Sequence, residues 1–467
     1  MPRMTRGVKW TLIITGSIAF MLLCVRCFIF WHWNAKVNAE IKAFEAEDWP
    51  ARLSGYVPKT RPDGTKRHFY RTDEFDYSYP SPYRVTTSGS QVAIAKAARD
   101  FASWSAFCDV GGNVTGRKAA DWNDAWIEPL QRHLTESGVV LNAVKTAAAD
   151  GTGAFSVDWD NGYQARAGHL YTLIDLADLM RVEAVLKAHA LDMQGAFEDV
   201  RLMLRLRRLV DDDPRLWSKG VAMRLDTEAF ATLNGVLQLV QPDRAAVDAI
   251  LAELADREKR NDISVVFASE TTFGIGFFNA ARGDPTVILR YSETRLKDSE
   301  IAPHSGGEVL LGQLARFFWI APADEYQFLV EMKSLRQYAK KPFPRGTPPA
   351  LAPFPRPSVS LLTSGVTSMY SYGLSREVNA EETADAYVRM ARVVLALSLY
   401  HADAGAYPPS LDALVPAYLP AVPLDPYDGK ALRYKRGSAG YVLYAIGEDR
   451  VDNGGVPYRD DIWERNK

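Results

Sequence analysis

The feature that most restricts this chain lies at residues 10–33. Residues 10–25 form a run of 16 positions without a charged side chain, Arg26 interrupts it, and residues 27–33 (Cys-Phe-Ile-Phe-Trp-His-Trp) continue the apolar character. As a helix rising ~1.5 Å per residue, the segment extends about 36 Å, enough to cross a hydrocarbon core of ~30 Å. Arg26 sits late in the run, where a long side chain reaches a headgroup, and Trp31 and Trp33 suit an interfacial belt. Arg3, Arg6 and Lys9 precede the run, whereas Glu40, Glu45, Glu47 and Asp48 follow it. The basic flank places the N-terminus in the cytoplasm and the bulk of the chain outside, as in a single-pass protein of a bacterial inner membrane. No small-x-small cleavage site follows the run, so the segment reads as an uncleaved anchor. Met21, Leu22 and Leu23 before Cys24 fit a lipoprotein signal poorly. Cys24 and Cys27, a C-x-x-C pair inside an apolar helix, read as two small packing residues. Cys108 is then the one cysteine of the soluble part and has no intramolecular partner there.

Charge balance narrows the partners. The 55 Lys+Arg and 57 Asp+Glu leave a net charge of −2, so no cationic excess is available to track a phosphate backbone and no nucleic acid is expected. Hydrophobic residues at 47% and charged residues at 24% exclude a mainly disordered or polytopic chain.

Residues 34–90 are turn-rich, and residues 91–339 read as a helical bundle or solenoid-like middle domain. The clearest helical stretch is 171–210, where Leu173, Leu176, Leu179, Met180, Val182, Val185 and Leu186 recur at helical steps along one broad face. Asp211-Asp212-Asp213-Pro214 breaks it, Pro214 is placed to open the next helix, and Gln241-Pro242-Asp243-Arg244 reads as a further helix start. Residues 150–163, with Asp158, Asp160, Asn161 and Gly162, predict a short hairpin or turn. They lack the later ligands of an EF-hand. Among motifs with chemistry there is no H-E-x-x-H, G-x-S-x-G, S-x-x-K or Walker A. The seven histidines are scattered, with no two at metal-ligand spacing on one helix face. His304-Ser305-Gly306-Gly307-Glu308 reads as a helix-entry loop. Phe273-Gly274-Ile275-Gly276-Phe277 reads as close helix packing rather than a phosphate loop, and Trp104, Trp122 and Trp126 as packing anchors. Asp175, Asp178, Glu183 and Asp192 are the acid–base candidates by residue type if this region is a hydrolase or transferase. On an amphipathic helix, such carboxylates are expected on the solvated face.

Residues 340–376 form a Pro-rich linker, with seven prolines in 340–357. Proline lacks the amide donor, so this stretch cannot be a regular element and reads as an extended connector. Beyond it, residues 377–403 are helical, with Ala384, Tyr387, Met390, Val394, Leu397 and Tyr400 on one face. A second short helix is expected at 411–418 and paired strands at 432–435 and 440–446, with acidic loops closing the chain.

This C-terminal region resembles the C-terminal domain of the major pseudopilin of type II secretion. The resemblance rests on Leu397-x-x-Tyr400, Gly405-x-Tyr407-Pro408, Leu411-x-x-Leu414, Leu419-Pro420 and Asp425-Pro426-Tyr427-x-Gly429. It continues through Tyr434, Tyr441-x-Leu443-Tyr444, Gly447-x-Asp449 and Asp460-Asp461-Ile462. It covers residues 381–467, under a fifth of the chain. The resemblance implies a structural Ca²⁺ site, with Asp449, Asp460 and Asp461 at family positions. Asp452 is available as an extra ligand in a loop that is a few residues longer than the family pattern. Carboxylates and carbonyls of a Gly-rich loop suit the oxygen shell of Ca²⁺. Two departures accompany the match. Arg450 stands where the family has glycine. Counting from Val8, the fifth position is Leu12 rather than the glutamate of a processed pseudopilin. More than 300 residues separate the apolar segment from the pseudopilin-like helix, so an ordinary filament subunit is not expected.

The fold class expected is mainly α: an N-terminal transmembrane helix (1–33), a helical middle and a small α+β tail (377–467) with a short antiparallel sheet. The function expected is a non-catalytic, membrane-anchored periplasmic envelope protein associated with a secretion or pilus-like assembly. An enzyme centred on the middle domain, and an atypical minor pilin processed after Gly7, are the alternatives.

Overall fold

The structure is a computed structural model. It describes residues 6–47, 49–50, 69–70, 124–151, 154–155, 157, 169–211, 213–260, 263–283, 321–349, 364–438, 440–456 and 461–465. Cys108, Trp104, Trp122, Asp158, Asp160, the His304 loop and Asp460 fall outside them, as does the Trp126 side chain. Helix accounts for 72% of this set, in line with the mainly α expectation.

Helix α1 (Arg6–Glu45) contains the apolar segment and continues past it. Among the described residues it is the one helix long and apolar enough to cross a membrane by length and composition. The middle of the chain follows as α2 (Asp124–Glu136), α3 (Gly138–Asp150), α4 (His169–His189), α5 (Met193–Leu206) and α6 (Arg208–Asp211), then α7 (Leu216–Leu239), α8 (Arg244–Arg260), α9 (Ile263–Gly283) and α10 (Ala321–Ala339). Phe69–Tyr70 (β1) pairs in parallel with Ala154–Phe155 (β2). Of the stretch 150–163, expected as a short hairpin or turn, Ala154–Phe155 finds its partner at long range, and residues 158–163 lie outside the described residues.

Helix α4 is the centre of the bundle, packed by α2, α3, α5 and α7. Its buried residues (Leu170, Leu173, Leu176, Ala177, Met180, Val182, Ala184 and Leu186 among them) surround it rather than marking one face. The single-face reading of 171–210 is corrected accordingly. The stretch is also divided, because Leu191 enters the left-handed region at φ 61° and Asp192 caps α5 by accepting from the Gly195 N–H at 2.9 Å. Asp192 is thus a helix cap. The expected break at 211–214 is present. Helix α7 starts two residues after Pro214, and its first amide, Leu216 N, donates to Glu270 Oε1 of α9 at 2.6 Å. A carboxylate from a neighbouring helix therefore satisfies an orphan donor and favours the dipole. At the next start, Asp243 Oδ1 accepts from Ala246 N at 2.8 Å.

Gly274 and Gly276 lie inside α9. A Cβ on Gly274 would stand 2.2 Å from the Phe328 ring of α10, whereas Gly276 faces open space. The motif is close helix packing, as expected.

Helix α11 (Ser364–Ala404) leads to a 3₁₀ turn (Leu411–Leu414). It begins inside the stretch 340–376 expected as an extended connector, which is corrected over 364–376: the last proline of the run is at 357, so nothing beyond it forbids a helix. The expected helix over 411–418 stops there because Val415 precedes Pro416 and is extended. Strands β3 (Arg433–Arg436) and β4 (Tyr441–Ala445) are antiparallel, with Tyr434 opposite Leu443. Strand β5 (Asp461–Arg465) adds to the other edge of β4, with Ile462 opposite Tyr444. Residues 461–465, expected as closing loop, are thus a third strand.

Residues 340–349 are irregular, as the prolines require, but they do not run free. Arg345 pairs with Glu381, and the Gly346 carbonyl lies 3.0 Å from the Tyr338 hydroxyl. Apolar packing also passes through α11, where Phe230 of α7 stacks on Tyr387 at 6.3 Å. One cluster of buried side chains runs from Leu141 through Val394 to Ile446. A second, with Val37, Phe267, Phe277, Phe328 and Met332, is built by α1, α9 and α10.

Candidate functional site

The residues singled out by the resemblance lie in the loop after β4. Gly447, Gly454 and Gly455 there have φ between 75° and 80°. At Gly455 a side chain is disfavoured by the backbone and would also press on Tyr444 and Val442 at 3.2 Å. Asp449 and Asp452 are both exposed on this loop. Asp449 accepts from Val451 N at 2.9 Å and from Asn453 Nδ2 at 3.1 Å. Asp452 accepts from Gly454 N at 2.9 Å and from the Tyr444 hydroxyl at 3.2 Å. Both carboxylates therefore stabilise the loop's own turns. Asp461 starts β5, paired with Ala445. Among the described residues, no group of three or more His, Cys, Asp or Glu side chains is arranged to hold a metal. The structure brings Asp449 and Asp452 into one loop beside the strand carrying Asp461.

Arg450 adopts φ 55°, the left-handed region. This explains why a glycine suits the position and what the arginine gains. From there its guanidinium donates to the Tyr427 carbonyl at 2.6 Å and to Glu382 Oε2 at 2.6 Å. Glu382 is almost fully buried on α11 and also accepts from the Tyr338 hydroxyl of α10 at 2.8 Å. Burial pushes its carboxyl above the ordinary range, while the Tyr338 hydroxyl and the Arg450 and Arg345 cations pull it back. Burial, together with the Glu382 carboxylate, pushes the Tyr338 hydroxyl up.

A second buried carboxylate organises the preceding turn. Asp425, fully buried, accepts from Tyr427 N at 2.8 Å and Ile446 N at 3.0 Å and pairs with Arg433. Burial raises its pKa against those donors. Arg433 also binds Asp428 Oδ2 at 2.5 Å and approaches Asp452 Oδ2 at 3.6 Å. These residues connect the Asp425-Pro426-Tyr427 turn to the acidic loop.

In the helical bundle, charge is buried as pairs. Arg207 donates to Asp211 at 2.7 Å and to Asp226 at 3.0 Å, and Asp226 also accepts from Arg257 at 2.8 Å. Burial, with help from the Arg207 and Arg257 cations, lowers Lys219 on α7 to about 8, while Asp211 and Glu381 pull the other way. Of the acid–base candidates, Glu183 binds Lys145 at 3.0 Å and Lys187 at 2.9 Å, and Asp178 binds Arg181 at 3.0 Å. Burial raises Asp178 to about 6. Both are half-buried ion-pair members, Glu183 bridging α3 and α4 and Asp178 pairing within α4, which corrects the expectation of freely solvated carboxylates.

The chain matches no family model, no curated protein and no solved structure.

Sequence reasoning missed Glu382, Tyr338 and Arg345. A Glu381-Glu382 pair within the helical stretch 377–403, in a chain whose Pro-rich segment carries Arg345, is the available signal.

Proposed function

We propose that this protein is a non-catalytic envelope protein, anchored in a bacterial inner membrane through residues 10–33, that holds a calcium-ordered pseudopilin-like tail on its extracytoplasmic side. The tail serves as a contact surface for a secretion or pilus-like assembly. The observation that carries the anchor is the change along α1. Phe20, Met21, Phe28 and Trp31 are each more than half exposed, whereas Val37 and Phe44 of the same helix are buried. An apolar surface of that length bare to water is costly, and a bilayer removes the cost. The order long helix, 3₁₀ turn, antiparallel strands and Gly-rich acidic loop supports the tail reading. The pairing of the central carboxylates favours a structural over a catalytic role for the bundle.

The test is membrane fractionation of the full chain bearing a C-terminal phosphatase that is active only outside the cytoplasm. Retention in carbonate-washed membranes with active phosphatase is expected. A soluble protein, or an inactive reporter, overturns the anchor or its orientation. For the assembly, reconstituted full chain is titrated with purified secretion pseudopilin. Saturable binding that weakens in chelator is expected, and no binding refutes the assignment.

A further inference from the structure

Helices α1 and α10 run parallel at a fixed register. Trp33 packs on Tyr326 at 5.5 Å, Glu40 pairs with Lys333 at 3.0 Å, and Glu47 meets Lys340 at 3.5 Å. Each step is seven residues on both sides, the last reaching just past the two helix ends, and the separation is 293 residues each time. Seven residues make two turns, so both helices keep one face toward the other, as in a two-stranded coiled coil. Lys36 lies over both the Trp33 and Tyr326 rings, Val37 is fully buried, and the Arg336 guanidinium covers Phe44. The helix that leaves the apolar segment is thus packed into the second core without an intervening tether.

The same register places Ala321, the first residue of α10, level with Phe28, and Glu325 level with His32. Helix α9 runs antiparallel to α10: Arg336 donates to Thr271 at one end, Phe278 packs on Phe328 in the middle, and Arg282 pairs with Glu325 at the other. The end of α9 near Arg282 and the start of α10 therefore stand beside the last two turns of the apolar segment. That segment is still exposed at Phe28, Phe30 and Trp31. At ~1.5 Å per residue, Phe28 to Trp33 spans about 7.5 Å. This is about the thickness of one headgroup layer, the difference between a ~30 Å core and a ~40–45 Å bilayer shared by two faces.

Resting on the anchor reading, we propose that the Arg282–Glu325 end of the α9–α10 pair is a membrane-seating surface, embedded at the headgroup level of the bilayer that α1 crosses. The body stands on the membrane at a set angle and does not swing from α1. Arg282 is neutralised by Glu325, so seating follows from depth and needs no anionic lipid.

The experiment uses the full chain, with Cys24, Cys27 and Cys108 replaced by alanine, in phosphatidylcholine vesicles. Single cysteines carrying an environment-sensitive dye are placed at Phe20→Cys, Asn279→Cys, Ala323→Cys and Gln337→Cys. Asn279 and Gln337 are exposed and belong to opposite ends of the α9–α10 pair, so labelling there leaves the core intact. The proposal expects loss of fluorescence at 279 and 323 with lipid spin-labelled near the headgroup, together with protection from aqueous iodide. Gln337→Cys loses fluorescence only to iodide, and Phe20→Cys only to lipid spin-labelled deep in the acyl chain. Positions 279 and 323 behaving like 337, with Phe20→Cys still quenched by lipid, overturns the seating and leaves the anchor standing. Phe20→Cys open to iodide and blind to lipid overturns the anchor and the seating together.

Discussion

Arg450 reaches Glu382 across 68 residues of sequence from a left-handed backbone, its Nη2 2.6 Å from Oε2. A non-glycine residue in that region costs about 1–2 kcal/mol, and the two hydrogen bonds of the guanidinium offset it. Arg450→Gly removes both, and a net destabilisation of ~1–2 kcal/mol is expected because charge-assisted bonds to buried acceptors outweigh the relief. The check is a double-mutant cycle with Glu382→Gln by denaturant unfolding. Coupling of about 1 kcal/mol or more is expected, and additive effects would show that the contact carries no stability.

Two glycines one turn-half apart in α9 predict opposite outcomes. Gly274→Ala drives a methyl group into the Phe328 ring and is expected to destabilise by about 1–3 kcal/mol. Gly276→Ala meets nothing and gains helix propensity of up to ~1 kcal/mol. Thermal melts of the two variants should move in opposite directions. Equal shifts would mean that α9 does not pack on α10 at this face.

Lys219 gives the bundle a pH signature. Its folded pKa is near 8, below the ordinary 10.5, so the unfolded chain holds more protons between those values. Stability from this residue therefore rises with pH across that window, and the cost of burying the ammonium is present in full below it. Lys219→Met is expected to raise stability near neutral pH by on the order of 2–3 kcal/mol. The difference between wild type and variant should shrink from pH 8 to 10.5. A difference independent of pH would place the gain in packing instead.

Calcium is expected to raise the melting temperature of the full chain, and Asp449→Asn with Asp452→Asn to abolish the rise. Linkage makes the size depend on ligand concentration, growing by about 1.4 kcal/mol per tenfold excess over Kd. The full chain is the right object because the tail shares buried packing with α7 and α8 through α11. An identical melting temperature in millimolar Ca²⁺ and in chelator would remove the site.

Much of the secondary structure was legible because its causes are local. Asp211-Asp212-Asp213-Pro214 had to end a helix, Asp243 had to start one, and alternation around Tyr434 and Leu443 had to pair as strands. Asp192 is exposed, as expected of a solvated carboxylate, and its added role as a helix cap shows only once the backbone turn at Leu191 is known. The third strand at 461–465 was missed because five residues carry too little alternation to outweigh the acidic turn before them. Tyr338 belongs to no motif, and the Glu381-Glu382 pair gives no sign of which distant groups it meets.

The sequence alone determined where a membrane-crossing helix can lie, that the fold is mainly helical, and where prolines forbid regular structure. All of these follow from period, charge and backbone chemistry within a few residues. Tertiary structure alone decided that Asp178 and Glu183 serve as ion-pair members, that Glu382 joins α10 to the acidic loop, and that α10 stands level with the apolar segment. Those relations depend on which helices are neighbours. Burial that strips water from a carboxylate or an ammonium arises only when distant segments meet.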